Sequence, residues 1–253
     1  MYSTQIRLNL FWKQNSKKYK MNFRLVLLFS QILIHIVFLY GLYKFDIEFS
    51  IIAIIIAQIV FSGFCGTVFF HRVVTHKNKI NPVFENILLV LSTIGMSGSA
   101  LGWAATHRAH HRFSDTDQDP HSPRHVGYIK TYWYSSAGPS SMRYVPDLLR
   151  NKKYLFQHKH YFLINLIFHL LVFFTMSFQW YWALCIVPGF VMWFTGSITN
   201  CLSHNANGPR NNLLLGILMA GEGWHKNHHL DPANPSFKSK LDWGNWIYKL
   251  IKA

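Results

Sequence analysis

An all-α integral membrane protein is the fold this sequence predicts, with four transmembrane helices in two hairpins under a cytosolic helical cap that holds a di-metal site. Three observations carry that expectation. Half of the 253 residues are hydrophobic and only 14% are charged, against about a quarter in soluble domains. The apolar residues gather into runs near the length of a membrane crossing. Eight of the fifteen histidines fall into three tight clusters, and the clusters stand beside the ends of those runs.

The elements follow in chain order, as one membrane domain over 1–253 without internal repeats or low-complexity tracts. Residues 1–24 form a cytosolic N-terminal segment in which Lys13, Lys17, Lys18, Lys20 and Arg24 precede the first apolar run. That pattern is like a signal-peptide n-region, but the run is long and has no small-residue cleavage site, so it is expected to stay as an anchor. The runs 25–43 and 49–70 each approach the roughly 20 residues that a crossing needs. Lys44-Phe-Asp-Ile-Glu48 between them supplies a polar turn, making 25–70 the first hairpin.

Residues 71–160 form the main part of the cap. Its apolar stretch 83–105 is interrupted by Gly95, Gly98 and Gly102, and the stretch 213–220 is short; both are expected as helices lying against the membrane face. The second hairpin spans 161–203 and reverses at Ser177-Phe-Gln-Trp180. Phe178, Trp180, Tyr181 and Trp182 suit the headgroup level there. Pro188 should kink the fourth crossing. Residues 204–253 complete the cap.

Four crossings put both termini and the cap on one side, together with 24 of the 25 Lys and Arg. By the positive-inside bias that side is cytosolic, in an endoplasmic reticulum or a bacterial inner membrane. The net charge of +15 comes without any nucleic-acid-binding motif, so nucleic acid is excluded as a partner. Cys65, Cys185 and Cys201 are far apart and lack a C-x-x-C spacing; they read as small packing residues.

The chemistry lies in His71-Arg-Val-Val-Thr-His76, His107-Arg-Ala-His-His111 and His225-Lys-Asn-His-His229. Positions i, i+3 and i+4 share one face of a helix, so His107, His110 and His111 point together, as do His225, His228 and His229. His71 and His76 are about 140° apart on an ideal helix and fit best at a helix end. His204 adds a ninth histidine at the end of the fourth crossing, with Asn200 one turn before it. Of the others, His35 and His169 should bond to neighbouring helices and His158 and His160 should lie at the membrane interface. His121 and His125, in Asp119-Pro-His-Ser-Pro-Arg-His125, are open between a supporting role and plain loop.

Imidazole suits zinc, copper, iron and nickel alike. The number of histidines is more telling: structural zinc takes four ligands and catalytic zinc three, so eight or nine imply two ions. Glu222 in Glu222-Gly-Trp-His225 is one of only three glutamates and reads as a partner that orients a ligand from behind.

Thr106-His-Arg-Ala-His-His-Arg-Phe-Ser-Asp115, Asp119-Pro-His121 and Gly221-Glu-Gly-Trp-His225 onward to His229 resemble the histidine boxes of the acyl-CoA delta-9 desaturases, the stearoyl-CoA desaturase type. The likeness runs from the first hairpin to Leu241-Asp-Trp243. It implies two iron ions that use dioxygen to remove two hydrogens from an acyl chain, held by His71, His76, His107, His110, His111, His204, His225, His228 and His229. It also implies Asn200 near one metal through a water, Trp103 lining a kinked acyl tunnel and Arg108 near the substrate head group. The family's threonine and tryptophan before Asn200 are Gly196 and Ser197 here, which leaves chain length and double-bond position open.

The substrate expected is a long-chain acyl-CoA or an acyl-lipid. No dinucleotide fingerprint, haem attachment motif or ferredoxin-like cysteine spacing is present. Electrons should therefore come from a separate donor, cytochrome b5 or a ferredoxin with its reductase, docking on the basic face. A histidine-box hydroxylase of a lipid or alkyl substrate is the nearest rival. A metal transporter would line a path through the membrane with its histidines, and a zinc hydrolase would offer a carboxylate base; neither pattern fits.

Overall fold

In the computed structural model, which describes residues 16–96, 98–134 and 141–253, helices account for nearly all regular structure. The first fifteen residues, and with them Lys13 and the start of the expected anchor, lie outside the described residues. Helix α1 (Ser16–Lys44) and α2 (Ile47–Thr75) form a hairpin joined at Phe45-Asp46. The apolar part of α1, Leu28–Lys44, is shorter, whereas α2 is long and apolar enough to cross a membrane and continues beyond residue 70, carrying His71 inside it. Its second part, Gln58–Thr75, is wound with i→i+5 hydrogen bonds, a geometry that recurs at functional sites.

The stretch 83–105 is two helices rather than one. Helix α3 (Pro82–Ile94) starts at an Asn81 cap with Pro82 in its first turn. Met96 and Gly98 then adopt left-handed φ of 57° and 84°, which ends it. Helix α4 (Ala100–Phe113) begins afresh where the Ser99 hydroxyl accepts from the Gly102 N–H. His158 bonds to that same hydroxyl at 2.7 Å, so it supports the cap of the histidine-bearing helix and is not merely interfacial.

Short helices α5 (Pro123–Val126), α6 (Tyr128–Tyr134) and α7 (Pro146–Leu149) connect to the second hairpin, α8 (Lys152–Thr175) and α9 (Phe178–Leu202), which reverses at Met176-Ser177. A short i→i+5 segment, Trp182–Ile186, directly precedes Pro188 and absorbs the distortion that a helix-interior proline causes. A two-residue ladder, β1 (His204–Asn205) with β2 (Gly208–Pro209), leads to α10 (Leu213–Leu218), α11 (His225–Leu230) and α12 (Trp243–Ile251).

One core gathers α2, α3, α4 and α12 around Phe69, Phe70 and Leu101; a second gathers α1, α2 and α9 around Phe38, Trp182 and Ile186. At the α1–α9 crossing Trp182 donates to the Phe38 carbonyl, and a Cβ added at Gly41 would overlap the indole. His35 bonds to Tyr132 of α6 and His169 to Tyr181 of α9. All three cysteines are buried and free.

The outward faces are apolar. Ile51, Ile52, Ile55 and Ile56 of α2 and a row from Phe162 to Phe174 of α8 are exposed. Helices α2 and α9 are long and apolar enough to cross a membrane, and these faces are compatible with membrane association.

Candidate metal centre

Four elements bring the nine histidines together: the end of α2, α4, α11, and the start of β1. They do so as two groups, not as one. His71, His76, His107, His111 and His228 form the first; His110, His204, His225 and His229 form the second. The expectation that each H-x-x-H-H motif presents one common face is refined here. Positions i and i+4 serve one group while i+3, about 60° from i and about 100° from i+4 around the helix, serves the other. Thus α4 gives His107 and His111 to the first group and His110 to the second, whereas α11 gives His225 and His229 to the second and His228 to the first.

The five-residue spacing of His71 and His76 is one turn of the wide helix. The His76 N–H donates to the His71 carbonyl at 3.1 Å, and the rings lie 5.0 Å apart.

Within the first group, successive Nε2 atoms of His71, His107, His111 and His228 are 2.9–3.0 Å apart around a closed ring. A square of that edge has its centre about 2.1 Å from every nitrogen, the length of a metal–imidazole bond. The Nε2 of His76 is buried and has no hydrogen-bond partner, and its ring lies 4.7–5.5 Å from the other four. In the second group three edges of 2.9–3.2 Å link His204, His225, His229 and His110.

A cation is what such a geometry demands. His71 Nδ1–H donates to Glu222 at 2.8 Å, His110 Nδ1–H to Asp119 at 2.9 Å and His204 Nδ1–H to Asp115 at 2.9 Å. In these neutral rings the Nε2 atom then carries a lone pair. Lone pairs facing one another at hydrogen-bond distance repel unless they share an electrophile, so the residues fit two bound metal ions.

The electrostatics agree. Burial, then neighbouring histidines, holds His107, His110, His225 and His228 well below the usual imidazole value, and pushes His111 down to about 3 and His229 to about 2. The rings are therefore neutral and ready to coordinate at physiological pH. Burial pushes Glu222 up to about 7 against the pull of the Arg72 guanidinium.

Glu222 lies behind His71, 2.8 Å from its Nδ1. Asp119 and Asp115, to which the spacing of the motif assigns no role, stand behind His110 and His204 of the second group in the same way. Their pairing depends on the tight turn after α4, where Asp115 takes a φ of 60° and donates its N–H to Asp119. His121 is buried and stacks on His110 with ring centres 4.3 Å apart, and His125 donates to the Asp115 carbonyl. Gly223 is demanded by close approach, since a Cβ there would overlap the backbone of α10 at Gly216 and Asn212.

Trp103 lies flat against His107, with centres 4.8 Å apart. Arg108 does not reach toward an open site. Its five N–H groups are spent on the carbonyls of Val74, Thr75 and Tyr144 and on both oxygens of Asp147, leaving none for a head group. Asn200 is half-buried one turn before His204, and a Cβ added at Gly196 would meet nothing within 4 Å.

A family model for fatty acid desaturases matches residues 49–242. The chain belongs to the fatty acid desaturase family. It is 31% identical over 189 residues to an sn-1 stearoyl-lipid 9-desaturase of Synechocystis, covering 68% of this chain and 58% of that one. It is 30% identical to the protein of the same name from Anabaena variabilis, covering 64% and 65%. A delta(9)-fatty-acid desaturase of Caenorhabditis elegans is 28% identical, over 91% of this chain and 77% of the relative. The chain thus spans about three fifths of the length of the two cyanobacterial relatives. Family and histidine groups together point to metal binding.

Proposed function

We propose that this desaturase-family protein places a cis double bond at the delta-9 position of a saturated long acyl chain. The observation that carries the reading is the pair of histidine groups, each backed by its own carboxylates, in a chain whose sequence matches the desaturase family from α2 to the start of α12. The carrier of the chain is a membrane lipid, as in the names of the cyanobacterial relatives, or coenzyme A.

Two iron ions fit the groups, one held by His71, His76, His107, His111 and His228, the other by His110, His204, His225 and His229. When bound, they supply the oxidising power, drawn from dioxygen, that an unactivated C–H bond requires. The balance is –CH2–CH2– plus dioxygen, two electrons and two protons to –CH=CH– plus two waters; dioxygen takes two electrons from the chain and two from a separate donor. Cytochrome b5 or a ferredoxin with its reductase would dock on the basic cytosolic face.

This chain's residues do the positioning. Glu222, Asp115 and Asp119 fix the tautomer and direction of three histidines. Trp103, flat against His107, offers an apolar wall for the acyl chain, and the open side of Gly196 offers room for it. Asn200, one turn before His204, would stand close to one of the ions through a water. Helices α1, α2, α8 and α9 would be the four crossings, with both termini in the cytosol.

The test is the fatty acid profile of a desaturase-deficient host that expresses the chain and supplies a donor. Monounsaturated acids with a delta-9 bond are expected, and their distribution between lipid and CoA pools names the carrier. Hydroxy acids in their place would overturn the reading.

A further inference from the structure

The outward side of the cap near the metal centre is apolar where a water-facing surface would be polar. Helix α12 buries Gly244, Asn245, Ile247 and Ile251 but turns Trp246 and Leu250 outward, 55% and 80% exposed. Helix α10 likewise presents Leu213, Leu214, Ile217 and Leu218. Amphipathic helices packed on a soluble core carry charge on that side. Between α10, α12 and α2 runs a groove of about 330 Å³ lined by Ile59, Ile217, Leu241, Trp243 and Trp246. The Trp243 indole N–H at its wall is spent on the Ile217 carbonyl.

We propose that this groove seats one acyl tail of a bilayer phospholipid, with the rim residues Lys240 and Lys249 meeting its phosphate. The inference rests on the membrane reading above, and continuity decides the occupant. Ile59 at the floor of the groove continues the outward isoleucine face of α2, formed by Ile52, Ile55 and Ile56. The lipid that covers that face therefore reaches the groove without crossing any polar boundary. Exposed Lys240 and Lys249 beside Trp246 supply the cation-and-tryptophan edge that settles at a headgroup boundary. A second copy of the chain would have to strip lipid from α2 as well.

The seat has a structural consequence. Asp242 caps α12 and accepts from Arg72 at 2.8 Å, and Arg72 adjoins His71. A tail held under Trp246 steadies the wall of the first histidine group.

The experiment uses the full-length, iron-loaded protein in nanodiscs of phosphatidylcholine with a photoactivatable diazirine on one acyl chain, followed by peptide mapping. Adducts are expected in 213–218 and 241–250 as well as on the outward face of α2. Ile217→Glu should lower the groove adducts about tenfold, since a charge in an apolar seat costs at least one tenfold step in affinity. Trp246→Ala should lower them several-fold, and unchanged iron content shows that both variants are folded. Adducts on α2 alone, or cross-links between copies across the groove, overturn the proposal. Absence of adducts even on α2 would instead overturn the membrane reading on which it stands.

Discussion

The two histidine groups lean on different carboxylates, so they can be weakened one at a time. Among the cage histidines Glu222 bonds to His71, a member of the five-histidine group, while Asp115 and Asp119 bond to His204 and His110 of the other. Glu222→Gln keeps an oxygen for the His71 Nδ1–H but removes its charge. Loss of such a partner lowers metal affinity about 10–100-fold, or about 1.4–2.7 kcal/mol. The ion of the five-histidine group should therefore leave at a chelator concentration that spares the other. Asp115→Asn should reverse the order. Combining it with Asp119→Asn should not give the simple sum, because both carboxylates back histidines of the same group. Iron per chain along a chelator titration, with Mössbauer spectra at the half-loaded step, reads this directly. Simultaneous departure of both ions from Glu222→Gln, or the same order of loss in both variants, would refute the division into two separately supported sites.

The same physics yields four more expectations. The cage histidines are held below the unfolded imidazole value, so below pH 6.5 the unfolded chain binds protons that the folded metal-free protein refuses. Its stability should fall as pH drops from about 6.5 to about 5, and a flat melting profile would contradict the buried neutral cage. Asp242→Ala strands the fully buried Arg72 and should cost about 3–5 kcal/mol in denaturant unfolding; a loss below about 1 would mean the pair is dispensable. Gly196→Leu, whose first carbon meets nothing within 4 Å, should fold normally but shorten the chains accepted, visible in product chain length. Asn200→His should retain iron while losing turnover, and undiminished turnover would remove Asn200 from the site.

Much of this molecule is legible in its sequence because the relevant signals are local. A run of apolar residues has few ways to satisfy its backbone away from water, and helices Ile47–Thr75 and Phe178–Leu202, long and apolar enough to cross a membrane, fall on two of the runs that hydropathy marks. The histidine boxes are readable because i, i+3 and i+4 are neighbours on any helix. Less legible were features that depend on departures from ideal geometry. The widened turn of α2 that aligns His71 with His76 has no composition signature. The left-handed residues Met96 and Gly98 split one apolar stretch into two helices, and the Arg108 fork, expected at a substrate, closes on Asp147 and three carbonyls.

The adjacent pairs His110-His111 and His228-His229 carry the least obvious lesson. Neighbours in sequence diverge by about 100° on a helix, so each pair is split between the two groups and each helix bridges them. That arrangement makes the two sites unequal: three elements contribute five histidines to one, while three contribute four to the other. The first has a closed ring of nitrogens with His76 beside it. The second has three linked edges and an incomplete ring, with the His110 and His204 rings 4.9 Å apart. The support behind them is unequal in the opposite sense: Glu222 alone backs the five-histidine group, whereas Asp115 and Asp119 both back the four-histidine group, so the group with fewer nitrogens is the one whose rings are held by more carboxylates.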